Sequence, residues 1–438
     1  MKKQIRVVWI CHFSNVEVRN KLPLSNFYLL NVIKKLLGNN KITYSDFAPW
    51  INILIKEFEK LKDVELHIIA PHKGLRKFNF EFEMNGVYYY FYKTELFFVL
   101  SKIRDIIIQK RQRKYKLNRF FVKRFIKKIE PDLVNLFGTE NPYYSITILD
   151  IKDIPILVTS QTVYANPNRK KLSGEINYSR WNIEVDIHSK EQYFGCSGRM
   201  HRDLIIRNNS NATILKNYFP LQRPIDVKNV TKEYDFVFFA ANITPKKGIE
   251  DALSALAFVK KKNNTIKLNI VGKCLPDYKA FLKSRIFDLD LTENTIFHDY
   301  FPVHTDLLQH LKKSRFALLP VKLDAIPGTI VEAMLLELPV ITYKTTGTPY
   351  LNKNGETVLI ANIGDIEKLA ENMLRLLNLP ALVAKLKKDA KAFVEKEFGN
   401  TTIAKRYVDN YRAVYNHYYH NKPIPEELLF NPEEFPLY

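Results

Sequence analysis

FVFFAANITPKKGIEDALSALAFV (236–259) reads as a buried strand, a loop with a lysine pair and one glycine, and an amphipathic helix starting near Gly248. LDAIPGTIVEAMLLELPVITY (323–343) follows the same grammar: a loop, a Pro-Gly, a helix and another buried strand. Continuous apolar strands alternating with helices belong to parallel sheets covered on both faces. Similar runs flank this pair. Upstream they are IRVVWIC (5–11), VELHIIA (64–70), DLVNLF (132–137), PILVTS (155–160), QYFGCS (192–197) and ATILK (212–216). Downstream they include IKLNIVG (266–272), TIFH (295–298), FALLP (316–320) and TVLIA (357–361). Twelve such units exceed one comfortable sheet, so two doubly wound α/β domains are expected.

The length of 438 residues also favours two domains. Prolines, polar residues and charges replace periodicity in NYFPLQRPIDVKNVTKEY (217–234), which sets the division at 1–219 and 220–400. FEFEMNGVYYYFYK (80–93) alternates around Asn-Gly, a hairpin signal, and should decorate the first domain. A helix should run from 401 to about 419, followed by a Pro- and Glu-rich tail. A hydrophobic share of 46% and a charged share of 26% argue against disorder. No apolar run nears the roughly 18–20 residues of a membrane span. MKKQIRVVWICHFSN (1–15) starts like a signal peptide, but it lacks a cleavage site and reads better as a first buried strand. Cys11, Cys196 and Cys274 are odd in number and far apart, which excludes a disulfide framework and fits a reducing cytosol.

In open α/β sheets ligands gather at the carboxyl ends of strands, and both quoted loops leave such ends. Gly328 lets the backbone approach closely, and the helix after it offers free amides and a positive dipole end to an anion. Lys247 adds a point charge to the same phosphate. Glu332 lies about one turn past Gly328, where a carboxylate repels phosphate but can grip sugar hydroxyls. Taken together, these features describe a site for a nucleotide diphosphate with its ribose held. Taken singly, each has a plain reading: a Glu in a first helical turn, or a Lys-Lys-Gly before a surface helix, is ordinary dipole chemistry.

The C-terminal half, about 235–420, resembles glycosyltransferase family 4, retaining nucleotide-sugar enzymes of the GT-B fold. The family's Gly-Arg and later Lys-Gly appear here as Ala241, Asn242 and Lys247-Gly248. Its two glutamates with seven residues between them appear as Asp324 and Glu332. Its Gly-Gly-x-Pro-Glu appears as Thr346-Gly347-Thr348-Pro349-Tyr350, without the acid, and NGETVLIANIGDIEKLAENMLRLL (354–377) matches its closing strand and helix. In the first half the likeness is weaker. PDLVNLFGTENPYYS (131–145), with Glu140, is similar to the strand and loop that face the acceptor, and Gln161 stands where many members carry a His.

The resemblance implies two Rossmann-like domains facing a cleft, the 401–438 helix and tail packing back on the first. It implies transfer of a sugar to a glycan or lipid-linked acceptor, without a metal cofactor. Lys247 and the amides of Gly328, Thr329 and Ile330 would stabilise the departing diphosphate. Asn242 would donate a hydrogen bond to it, Glu332 would hold the ribose, and Asp324 the hydroxyls of the transferred sugar. Gly248 would open the donor helix, and Gly272 with the strand end at 297–300 would border the base. The departures at Asn242 and Tyr350 motivate one rival, a catalytically silent GT-B-like scaffold; a GT-B-fold nucleotide-sugar epimerase, with water or no acceptor, is another.

Asp288-Leu-Asp290 fits an Asp-x-Asp metal motif but sits in an amphipathic stretch, as a solvated helix end would. His12, His67, His72 and His298 have no ligand spacing, so no metal is assigned. The net charge of +21 favours a polyanionic partner. Residues 101–128 carry twelve Lys or Arg and one Asp, interleaved with Ile and Phe. A solvated face and an RNA-binding surface both suit such a run. An anionic membrane surface fits best, since many family members extend glycans on lipid carriers at the inner leaflet. The protein is therefore expected in the cytoplasm, peripheral on the membrane.

Overall fold

Strand β1 (Ile5–Ile10) buries five of its six residues, as a strand covered on both faces must. In the computed structural model it lies at the middle of an eight-stranded sheet. The structure describes all residues except 1–3, 26–43, 45, 95–114, 168–175, 222–229, 302, 323–325, 346, 353–354 and 436–438. The chain divides into two compact units, the first formed by Met1–Ser197, His201–Pro220 and Ile403–Phe430. Gly198–Met200, Leu221–Thr402 and the residues from Asn431 onward form the second.

In the first unit β1 is joined by β2 (Val64–Pro71), β3 (Asn79–Met84), β4 (Val87–Tyr92), β5 (Leu133–Phe137), β6 (Ile156–Thr159), β7 (Tyr193–Cys196) and β8 (Thr213–Lys216). The order is β3-β4-β2-β1-β5-β6-β7-β8, all parallel except β3. The 80–93 hairpin is thus part of the main sheet rather than an appendage, with β4 pairing parallel to β2. Its turn has positive φ at both Asn85 and Gly86, the two-residue geometry that Asn-Gly favours. Helices α1 (Val16–Lys21), α2 (Pro49–Phe58), α3 (Lys116–Ile129), α4 (Tyr178–Lys190) and, from His201 onward, α5 (Arg199–Asn208) lie between strands. α3 turns Phe121, Val122, Phe125, Ile126 and Ile129 inward at helical spacing.

The second unit has β9 (Tyr234–Ile243), β10 (Leu268–Cys274), β11 (Thr295–His298), β12 (Ser314–Leu319), β13 (Val340–Tyr343) and β14 (Leu359–Ala361). All are parallel, in the order β11-β10-β9-β12-β13-β14. The helices are α6 (Ile249–Lys260), α7 (Pro276–Asp288), α8 (His304–Leu311), α9 (Gly328–Leu335), α10 (Ile366–Asn378) and α11 (Pro380–Phe398). α10 starts where Asp365 accepts a hydrogen bond from the Lys368 amide (2.9 Å), and it buries Leu369, Met373 and Leu376 along one stripe. Those residues join Phe236, Phe238, Leu253, Leu256, Ile270, Leu318 and Ile341 in one core. Each such side chain contributes roughly 1.5–3 kcal/mol by leaving water.

The last helix, α12 (Asn400–His420), groups with the first unit from Ile403 onward. There it buries Tyr407 against Phe137 and Tyr411 against Phe58, while Arg412 pairs with Asp63 at 2.8 Å. The tail divides at Phe430, whose amide donates to the Ile214 carbonyl of the first unit.

Candidate functional site

The strand order of the second unit reverses between β9 and β12, the switch point where such sheets open a crevice. Their parallel pairing (Phe236 opposite Phe316) brings the loops leaving them side by side. Three interactions then hold these loops together. Gly248 has φ +81°, and a Cβ there would stand 1.9 Å from the Pro320 carbonyl oxygen, so only glycine permits this approach. The Lys322 amide donates to the Lys246 carbonyl at 3.0 Å. The Lys322 ammonium donates to Asp251 Oδ1 at 2.9 Å, while Asp251 Oδ2 accepts from the Tyr343 hydroxyl at 2.8 Å. The turn bearing Lys247 and the segment leading into α9 therefore meet.

Lys247 is half-buried in the single turn Pro245–Lys247 that precedes α6. At the mouth of α9, which has no side-chain cap, the amides of Gly328 and Thr329 have no acceptor among the described residues. Ile330 differs from the expectation: its amide already donates to the Pro327 carbonyl at 3.0 Å, because the helix starts with a tight turn. Gly328 also differs. A Cβ there would meet nothing closer than Leu221 Cδ2, at 3.4 Å, so no protein atom demands glycine. Glu332 is largely buried, its Oε1 standing 3.3 Å from Nε2 of His304, the first residue of α8.

β9 runs on through Asn242, so this residue belongs to a strand rather than a loop. Its side chain is exposed, and its partner across the ladder is Lys273. The register shifts between Val271 and Lys273, at Gly272, whose φ is +141°. A Cβ there would stand 1.9 Å from the Ala240 carbonyl oxygen. Asp324 and Thr346 lie outside the described residues. Tyr350, where the acid was expected, is a buried packing residue: it stacks on Phe435 (4.5 Å, 8°) and donates to Glu397 Oε2 at 3.0 Å. Of the Asp-x-Asp pair, Asp288 ends α7 and Asp290 pairs with Lys260 at 2.8 Å.

The first unit has its own switch point, between β1 and β5. There the His12 ring packs on Phe47 and Tyr143, and the Tyr143 hydroxyl bonds Nδ1. Burial, with His72 and Lys73 nearby, lowers the His12 pKa to about 4. Glu140 sits in the loop after β5. Burial, assisted by the nearby Glu184, pushes its carboxyl up to about 7. One carboxylate oxygen, Oε2, is sealed from solvent with no hydrogen-bond partner among the described residues. Gln161 is exposed just beyond β6.

Sequence reasoning missed Asp251, Lys322 and Tyr343, which clamp the two loops, and His304 beside Glu332. The one available signal was Asp251 in the first turn of α6, which reads equally well as dipole chemistry.

Residues 222–393 match the family described as Glycosyl transferases group 1. The chain is 31% identical over 176 residues to the amylovoran biosynthesis glycosyltransferase AmsK of Erwinia amylovora, covering 39% of this chain and 42% of that protein. It spans about two fifths of the length of the curated relatives it matches. Its fold matches sucrose-phosphate synthase of Thermosynechococcus elongatus at a TM-score of 0.65 and 14% identity, over 93% of this chain and 98% of that one. It also matches Anabaena HepE, solved in complex with UDP and glucose, at a TM-score of 0.60 and 14% identity, over 93% and 99%. The fold is thus GT-B.

Proposed function

We propose that this protein transfers a sugar, with retention of configuration, from a nucleotide diphosphate sugar to a glycan or lipid-linked acceptor, a reading supported by the match of residues 222–393 to the group 1 glycosyltransferases. The observation that carries the reading is the clamped meeting of the Lys247 turn with the approach to the α9 mouth at the switch point of the second sheet. The name of a second relative, the capsular polysaccharide biosynthesis glycosyltransferase CapM of Staphylococcus aureus, supports a role in cell-surface polysaccharide synthesis, and the UDP and glucose bound by HepE support a nucleotide-sugar donor.

In this reading the amides of Gly328 and Thr329, with Lys247, receive the charge that grows on the diphosphate as its bond to the anomeric carbon breaks. Asn242 adds a hydrogen bond without charge, and Glu332 holds the ribose hydroxyls. The acceptor oxygen bonds to the anomeric carbon, the electron pair of the broken bond stays with the diphosphate, and the acceptor proton passes to it. Glu140 and Gln161 serve the acceptor from the first unit.

The enzyme would work in the cytoplasm on an anionic membrane surface. Residues 101–114 of the basic run lie outside the described residues. In the remainder, α3 exposes Lys116, Lys123, Arg124, Lys127 and the Phe120 ring. No described helix is long and apolar enough to cross a membrane.

Turnover of UDP- and GDP-sugars with and without glycan acceptor tests the assignment. Lys247→Ala and Glu332→Gln should each lower kcat/KM by about 100-fold or more, in line with the loss of one transition-state donor. Full activity in both variants would remove the donor site. Binding without turnover would favour a scaffold, and turnover without acceptor an epimerase.

A further inference from the structure

α8 is a short helix with a firmly fixed far end. Leu308 and Leu311 are buried there, and the His310 ring packs on His298 with 4.2 Å between centres. The buried Asn269 side chain of β10 meets His310 Nε2 at 3.0 Å. His304, which opens the helix, is less than two turns from this anchor. α9 fixes Glu332 from the other side. Ile330, Val331, Ala333 and Met334 are all buried around it, so the backbone at Glu332 cannot shift without disturbing the core. The glutamate side chain is another matter, since it is among the side chains that lose most rotamer freedom when held in one arrangement. Its Oε1 stands 3.3 Å from His304 Nε2. That ring nitrogen is sealed from solvent and makes no hydrogen bond among the described residues. A buried polar atom left without a partner is unfavourable, and a change of alignment within this ion-pair distance relieves it. Contacts of this kind are often loose in an unliganded protein and tighten in the complex.

Resting on the donor-site reading above, we propose that His304 is a positioning residue for the donor ribose: its Nε2–H donates to Glu332 Oε1 and fixes the carboxylate so that Oε2 faces the sugar hydroxyls. An ionised carboxylate accepts on both oxygens, so the bond to His304 leaves Oε2 free for the ribose. His304 itself touches no atom of the donor in this arrangement. It acts by holding in advance a flexible side chain that the ligand would otherwise have to order on binding. The phosphates, by contrast, are served by the α9 amides and Lys247 and do not need the histidine. Recognition of the ribose and recognition of the diphosphate are therefore separable on this protein, and His304 acts on the first alone.

Calorimetric titration of the full chain with UDP, GDP and their dideoxy counterparts, which lack both ribose hydroxyls, tests this. The parent should prefer the ribose form of the nucleotide that it binds. His304→Ala should weaken that form about 10-fold, as for the loss of a hydrogen bond to a charged group. Affinity for the dideoxy form should stay unchanged, which also shows that the variant is folded. His304→Gln, whose amide nitrogen takes the place of Nε2, should keep the preference. In a Glu332→Gln background, His304→Ala should add little further loss. If His304→Ala keeps the preference of the parent, the positioning role is refuted while that of Glu332 stands. An equal loss for both forms, a Gln variant no better than Ala, or a full further loss in the Glu332→Gln background also refutes it. If the parent binds both forms equally, the ribose site fails and the role of His304 with it. If the parent binds no nucleotide, the donor-site reading itself fails.

Discussion

Gly248 and Gly328 look alike in sequence, each opening a helix after a strand-end loop, but the fold treats them differently. Gly248 is held in the left-handed region against the Pro320 carbonyl, so Gly248→Ala meets both a backbone penalty and a collision. It should lose about 1–3 kcal/mol or more of stability in urea denaturation. Gly328→Ala faces only Leu221 at contact distance, so its melting temperature should match the parent. Its nucleotide affinity should nevertheless fall, since the added methyl lies at the α9 mouth where a phosphate would approach. Parent-like binding in a stable Gly328→Ala would mean that the anion does not approach these amides. The same contrast explains what the sequence could not disclose about Tyr350. Its missing acid reads as a lost function, whereas its neighbours Phe435 and Glu397 make it a packing residue. Those partners lie 85 and 47 positions further along the chain, and no local pattern connects them.

Strands and helices were legible because each buries a continuous apolar run or a stripe of its own. β9, α6, α9 and α10 lie close to where periodicity puts them. The hairpin turn was legible too, since Asn-Gly accepts two positive φ values at low cost. What escaped were the links between elements. Asp251 meets Lys322 across 71 positions and Tyr343 across 92, and only the strand order brings them together. α3 is an intermediate case, because its basic composition is plain in sequence but its orientation is not. Its inward stripe is apolar, Arg119 is paired with Asp150, and Lys128 with Glu81. The outward face keeps Lys116, Lys123, Arg124 and Lys127 around Phe120. Near an anionic bilayer each such charge is worth about 1 kcal/mol, so co-sedimentation should rise with anionic lipid and fall with salt. A Lys123→Glu, Arg124→Glu, Lys127→Glu triple variant should lose most of this binding while keeping its fold. Unchanged sedimentation of the triple variant would return α3 to the role of a solvated face.

Stability against pH is a property of both units together, and its sign follows from two opposed groups of buried side chains. Burial lowers His12, His72, His188 and His310 to about 4, from an ordinary value of 6.5. Each is neutral in the native state but takes a proton on unfolding, so its stability contribution is full above about 6.5 and is lost as pH falls toward 4. Burial raises Glu140 and Glu191 to about 7, from 4.5. Their contribution has the other sense: it is full below about 4.5 and is lost as pH rises through 7. His67 and His298 are lowered in the same sense and Glu184 is raised like the other two glutamates, so between these limits the histidines that take up a proton on unfolding outnumber the carboxyls that release one. Each net proton tilts stability by about 1.4 kcal/mol per pH unit. Urea midpoints should therefore drop as pH goes from 6.5 to 4.5. His188 is fully buried, with Nδ1 bonded to Asn208, so His188→Gln keeps a polar partner there and removes one titrating group. That variant should show a shallower pH dependence, whatever its absolute stability. If the parent instead grows more stable on acidification through this window, the glutamates dominate and the histidine account is wrong.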